Sequence, residues 1–303
     1  MSSILTNTAA MTALKNLQST NMALQDTQNR ISTGLKVNSA ADNAGYWSIA
    51  TTMRSDKSSL DTVNSALGVG NSAVGTAYNG VTAAIKTAQA LKDQLVSAAQ
   101  SGSDRTKIQA QVAQLQKQLK STADATNFNG QNILSVDSSA SSYNATDSIM
   151  SSYSRTSAGV SIGTIDIDVG TTKLYDSNGN AGILDKNIGS GSVSVATLDI
   201  SALTDSAADQ TTLTGLIKGV DDAITSMTTA ASNLGAVQSR IKDQQTFLTS
   251  LSDSLTSGIS SLVDADMTTE STKLQALQVQ QQLGTQALSI ANQSSQAILK
   301  LFQ

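Results

Sequence analysis

From Leu274 to Leu299 the sequence carries no charged side chain, yet its apolar residues keep a seven-residue beat. Leu274, Leu277, Leu288, Ala291 and Ile298 fall on the two seam positions of a helix, and Gln281, Gly284 and Ser295 complete the rows. Gln275, Gln278, Gln280, Gln282, Gln286, Gln293 and Gln296 lie between them. A helix with one sticky face and an uncharged amide back is too polar to cross a bilayer. It also lacks the charged flank of an ordinary surface helix. It is complete only when packed against other helices.

The other end supplies a partner. Ala10, Leu17, Leu24 and Ile31 are seven apart, and Leu14, Asn21, Gln28 and Leu35 read as the second seam row. Before Arg30 the only charged side chains are Lys15 and Asp26. Two heptad helices this poor in charge are expected to pair, although each alone also fits an ordinary amphipathic core helix.

Composition narrows the function classes. The 303 residues include no Cys, His or Pro. Disulfides, thiol and imidazole catalysis and the usual zinc sites are therefore excluded. Without Pro, long helices run unbroken. Charged residues are 14%, against roughly 25% in an average globular protein. Aromatic residues are 3% and the net charge is −4, which argues against a large conventional core and against nucleic-acid binding. No secretory signal or membrane span is expected. No cofactor and no enzymatic activity are expected.

Between the ends, Arg30 to Asn43 reads as a helix end and a structured bend. A long helix follows from about Ser58 to Ala99. Leu60, Leu67, Val74, Val81, Ala88 and Leu95 form one seam row; Val63, Gly70, Ala77, Ala84 and Leu91 form the other. Gly68, Gly70, Gly75 and Gly80 inside it each cost up to ~1 kcal/mol, so packing must hold this helix. A phosphate-loop reading of the glycines fails at Ala73. Ser101–Asp104 stops this helix and caps a third, to about Ala123, expected to fold back antiparallel. From about Asp137 to Asp205 the period becomes two. Ser138 to Ser152 reads as a polar loop, while Val160 to Val169 and Val193 to Ile200 read as strand. Asp166, Asp168, Asp176 and Asp185 read as solvated turn residues rather than cation ligands. Helical pattern resumes near Thr211 and breaks at Asp264–Asp266. Asp266 and Glu270 read as the cap of the last helix rather than a catalytic pair. The expected fold is mainly α: an elongated nested helical coiled coil or bundle formed by both chain ends, with a small β-rich central insertion.

Three stretches resemble one family, bacterial flagellin. Arg30-Ile31-Ser32-Thr33-Gly34-Leu35-Lys36-Val37-Asn38-Ser39-Ala40-Ala41-Asp42-Asn43-Ala44 resembles its R-L-S-[ST]-G-x-[RK]-[IV]-N-S-A-x-D-D-A signature. Asn127 to Leu134 is similar to its F-N-G-x-x-[IL]-L turn, and Gln281 to Gln293 to its Q-Q-A-G-x-x-x-L-A-x-A-N-Q run. The resemblance covers roughly 1–136 and 210–303.

The resemblance implies a filament-forming structural subunit serving swimming motility, extracellular in the flagellar filament. Residues 1–45 with 264–303 would form the filament core, 46–136 with 206–263 the wall, and 137–205 an outer region. Leu14, Leu17, Leu24, Ile31, Leu274, Leu277, Leu288, Ala291 and Ile298 would form the assembly interface. Implied partners are other flagellin subunits, the type III flagellar export apparatus, an export chaperone, and filament cap and hook-junction proteins. A hook–filament junction protein, similar to flagellin at its ends, is the alternative. In strongly stimulating flagellins an animal Toll-like receptor contacts a run like Q-R-V-R-E-L-A-V-Q. Here Ala90 and Gln94 replace an Arg and a Leu, so weak sensing is expected. The plant-recognised segment also departs, at Asp42 to Trp47.

Overall fold

The computed structural model describes residues 7–301 except 142, 157–158 and 189–192, and side chains as far as Gln293. In chain order the elements are α1 (Thr8–Thr33), α2 (Ala44–Ala98), α3 (Arg105–Ala125), β1 (Ser135–Val136), β2 (Thr146–Thr156), β3 (Gly159–Asp168), α4 (Val169–Thr172), β4 (Tyr175–Asp176), β5 (Asn187–Ile188), β6 (Val193–Ser194), α5 (Ala207–Val263) and α6 (Met267–Leu301). Two compact units result. One comprises Met1–Ser58 with Ser252–Gln303; the other is Ser59–Leu251.

In the larger unit the two seam rows expected along α2 are both buried, from Leu60 through Leu67, Val74 and Val81 to Leu95. The helix begins fourteen residues before the expected Ser58, at Ala44. Helix α5 runs antiparallel to it. A Cβ at Gly68 would meet Gln245, one at Gly75 would meet Gln238 at 3.0 Å, and one at Gly235 would meet Tyr78. Further along, Lys92 Nζ reaches Asp221 at 2.9 Å. Helix α3 folds back along α2 as expected. Asp104 caps it by accepting the Lys107 N–H. Its first residue, Arg105, donates to Ala98 O at 3.1 Å, and residue Thr126 just past its end lies against Gly80. The buried Arg105 guanidinium also donates to Leu203 O and pairs with Asp205 at 2.7 Å, so one side chain ties three chain segments together.

Strands β2 and β3 form an antiparallel hairpin, Thr146 opposite Asp168 and Thr156 opposite Gly159, with a bulge between Met150 and Ser152. Strands β1 and β4 pair in parallel, and β5 and β6 antiparallel. The expected polar loop at Ser138–Ser152 is thus corrected from Thr146 onward. That segment has few apolar residues of its own, but pairing with β3 brings its Ile149 to the buried side beside Ile165 and Ile167. Conversely, Leu198 and Ile200 are fully buried without being strand. Their backbone is held by α3 side chains: Gln116 Nε2 donates to Val195 O and Leu198 O, both at 3.0 Å, and Gln109 Oε1 accepts the Ile200 N–H. Amides on a helix surface replace the missing ladder.

Two expected turn carboxylates are buried instead. Asp176 is 1% exposed, and its Oδ2 pairs with Lys173 Nζ at 2.6 Å. Its Oδ1 accepts the N–H groups of Ser138 and Asn178, while Asp185 Oδ2 accepts the Asp176 N–H. Burial pushes the Asp176 carboxyl up. The Lys173 ammonium and the two N–H donors outweigh it and hold the group well below the usual carboxylate range.

The β-rich segment seats on notches in the helices. A Cβ at Gly70 would strike Ile149 Cγ2 at 2.5 Å, and one at Gly80 would fall within 3 Å of Thr126 and Leu134. These glycines are therefore required by close approach. Gly80→Ala should lower stability by about 1–3 kcal/mol, although Ala is the better helix former by up to ~1 kcal/mol. Gly215→Ala, where nothing among the described residues lies within 4 Å of the new methyl, should raise it. Urea unfolding of the two variants against the parent checks the opposite signs.

The Asp176 pair sets a pH limb. A carboxyl whose folded-state value is lowered gives stability that is fully present above its unfolded-state value and is lost as pH falls through the folded one. Asp176→Asn should lower the neutral-pH melting point, leaving a buried unpaired ammonium at a cost of about 3 kcal/mol or more. It should also flatten the acid side of a Tm-against-pH curve.

Candidate assembly interface

The smaller unit is built around α1 and α6, which pair antiparallel. Asn7 Nδ2 donates to Ala291 O at 3.0 Å, while its Oδ1 caps α1 by accepting the Ala10 N–H. A Cβ on Gly284 would meet Leu17 Cδ1 at 3.2 Å. Gln281 Nε2 donates to Asn21 Oδ1 at 2.7 Å, and at the far end Arg30 Nη1 lies 3.2 Å from Glu270 Oε1.

On α6 the covered residues are the expected ones. Leu274, Leu277, Gln281, Gly284, Leu288 and Ala291 are buried or half-buried, and the glutamines at 275, 278, 280, 282, 286 and 293 are exposed. The side chain of Ile298 lies outside the described residues. On α1 the first row holds: Ala10, Leu17, Leu24 and Ile31 are half-buried. The second row differs. Asn21 and Gln28 are exposed and Leu14 is 46% exposed, while Ala13, Thr20 and Thr27 turn inward, Thr27 to 1%. The reason is distance between backbones. The register set by Leu17–Gly284, Asn21–Gln281 and Arg30–Glu270 brings this small row of α1 opposite the larger Leu288, Gln281 and Leu274 of α6, and small residues there let the helices meet where a second row of leucines and amides would hold them apart. The seven-residue recurrence of the small residues Ala13, Thr20 and Thr27 is the sequence signal of this phase.

This phase leaves large apolar side chains uncovered. On α1 they are Met11 (59% exposed), Leu14 and Met22; on α6 they are Met267 at its start, Val279, Leu283 (57%) and Ile290 (67%). The helix pair therefore carries apolar residues both inside its seam and on its outward faces.

The stretch after α1 locks the pair to its root. Gly34 takes a left-handed conformation (φ 72°) that ends α1 with its N–H on Arg30 O. Ala265 N then donates to Gly34 O at 2.8 Å and Lys36 N to Val263 O at 2.7 Å. Val37, Ala50, Ile259 and Val263 form a small core beside this crossing. Asp42 Oδ2 accepts the N–H groups of Ser39 and Asn38 and the Ser39 hydroxyl. The Ser39 and Asn38 donors hold its carboxyl below the usual range. Asp266 caps α6 as expected, accepting from Thr268 N and Thr269 N. Ala90 and Gln94 lie half-buried on α2 in the larger unit. Among the described residues no helix is long and apolar enough to cross a membrane.

Chain-end helices that complete each other, yet leave outward apolar faces, define a self-associating helical subunit. Comparison with known proteins says which. The pattern for the bacterial flagellin N-terminal helical region matches residues 4–139, and that for the C-terminal helical region matches 217–302. Flagellin C of Rhizobium meliloti strain 1021 is 42% identical over 324 aligned positions, and Flagellin A of the same strain 39% over 396. The flagellin of Brucella melitensis biotype 1 is 41% identical over 305. Each alignment covers all of this chain and all of the relative. The chain belongs to the bacterial flagellin family, and its function is that of a structural subunit of the flagellar filament. The hook-junction alternative is not favoured.

Among the described residues the buried Thr27 hydroxyl finds no hydrogen-bond partner. Thr27→Val, the same shape without the unpaired oxygen, should stabilise the helix pair by about 1 kcal/mol. Slower amide hydrogen exchange along α1 is the expected readout.

Proposed function

We propose that subunits join through the outward faces of the α1–α6 pair. In this reading Leu14 touches a neighbour directly. Leu17, Leu24, Ile31, Leu274, Leu277, Leu288, Ala291 and Ile298 act by building the pair that presents those faces. The observation that carries it is the exposure of Leu283 and Ile290 on a helix otherwise free of charge from Leu274 to Leu299. Such apolar faces are stabilised only by further burial. The uncharged surroundings also mean that any ion placed there would be desolvated without a counter-ion.

Family membership supports a finer reading. Residues 1–45 with 264–303 serve as filament core, 46–136 with 206–263 as wall, and 137–205 as the outer region. The subunit leaves the cell by the flagellar export apparatus with an export chaperone, adds beneath a cap, and abuts hook-junction proteins. It functions outside the cell and catalyses no reaction. Ala90, in place of an arginine fork of donors, and Gln94, in place of an apolar anchor, weaken contact with the animal receptor. A reporter-cell assay reads that last point, and a full response at low dose would refute it.

Two substitutions on α6 test the interface. Leu283→Asp should abolish sedimentable polymer while leaving the helical circular dichroism of the free subunit unchanged, because the side chain touches solvent in the monomer. Leu288→Asp, in the seam, should abolish polymer and also speed hydrogen exchange in α1. Normal polymer from Leu283→Asp would sink the outward-face assignment.

A further inference from the structure

The sequence contains three Asn-Gly steps, at Asn79-Gly80, Asn129-Gly130 and Asn178-Gly179. Each has the composition for spontaneous succinimide chemistry. The following residue lacks a Cβ to shield its nitrogen, and glycine reaches the backbone conformations that ring closure demands. The structure treats the three differently. Gly80 is buried inside the hydrogen-bonded ladder of α2, with Thr126 and Leu134 packed on it. Gly130 N donates to Asn127 Oδ1 at 2.9 Å, so a hydrogen bond must break before that nitrogen can attack. Asn178 and Gly179 are exposed in a turn after β4, outside helix and strand, with Gly179 at φ 79°. Among the described residues nothing hydrogen-bonds to the Gly179 N–H or to the Asn178 side chain, and no Cβ-sized obstacle lies within 4 Å of Gly179.

We propose that Asn178 is a site of non-enzymatic deamidation and isoaspartate formation, selected among the three by its unengaged neighbouring nitrogen. Gly179 N gives up its proton and attacks Asn178 Cγ. A C–N bond forms and the side-chain nitrogen leaves as ammonia, closing a five-membered imide. Water then adds at either ring carbonyl, and opening gives aspartate or its backbone-extended isomer at position 178. No oxidant or co-reactant other than water is consumed. The product adds a carboxylate two residues from Asp176, whose Oδ1 takes the Asn178 N–H at 3.1 Å. The isomer also lengthens the backbone in the turn that follows β4. The lysine–aspartate pair beneath it therefore loosens as the protein ages.

The test is incubation of purified full-length protein at mildly alkaline pH, followed by peptide mapping with mass spectrometry. The peptide containing residue 178 should gain the mass difference between carboxyl and carboxamide first and split into two isomers, with peptides containing 79 and 129 lagging. In urea the three sites should react at similar rates, since the folded hydrogen bonds that separate them are gone. Asn178→Gln should lose the modification at this position while keeping the parent circular dichroism. Equal rates at the three sites in the folded protein, earlier reaction at Asn129, or no reaction at Asn178 would each overturn the proposal.

Discussion

The larger unit depends on how closely α2 and α5 approach. The pairs Gly68–Gln245, Gly75–Gln238, Tyr78–Gly235 and Lys92–Asp221 step along the two helices in opposite directions with constant register. Glycines that weaken an isolated helix here admit a neighbour's side chain, and burial offsets their propensity cost. On the other faces of α2, Gly70 and Gly80 receive the β2–β3 hairpin and the turn after α3. With no proline to interrupt them, the two helices run 55 and 57 residues as single elements, and the four pairs keep one register along the seam.

Legibility in the sequence followed chemistry. The seams of α2 and α6 could be read because leucine, valine and alanine recur there without interruption. The second row of α1 could not, because Thr20 and Thr27 look like surface residues, and only the larger residues that α6 brings opposite them make small size the deciding property. Strand β2 was hidden for a related reason: its partner supplies most of the apolar surface. Gln109 and Gln116 carry no pattern at all, yet they hold Leu198 and Ile200 in place. Asp176 reads as a solvated turn residue because the sequence cannot show that Lys173, three residues earlier, is buried with it. For the proposed assembly surface, the sequence located the two helices that pair with each other. It did not separate the face the helices turn to each other from the faces they leave open, since both are apolar.

Length sets this chain apart from some relatives. Its alignment with Flagellin A spans 396 positions against its own 303 residues, whereas that with the Brucella melitensis flagellin spans 305. The family patterns meet only the two helical ends and leave residues 140–216 unmatched. Much of that stretch is the segment that the notches at Gly70 and Gly219 accept, the latter facing Ile188. In this chain an isoleucine fills each of these two seats.

The helix pair at the chain ends also fixes an order of events in folding. The Asn7–Ala291 hydrogen bond joins residues 284 apart in sequence. Loop entropy grows slowly with such a span, by about 0.6 kcal/mol for each doubling, so the equilibrium cost is modest. The kinetic demand is larger, because contacts of this separation form late. Helix α1 has no seam partner until the last turns of the polypeptide are free to lie along it. A subunit whose last turns are kept apart from α1, as inside a pore, is therefore a subunit whose final closure is postponed.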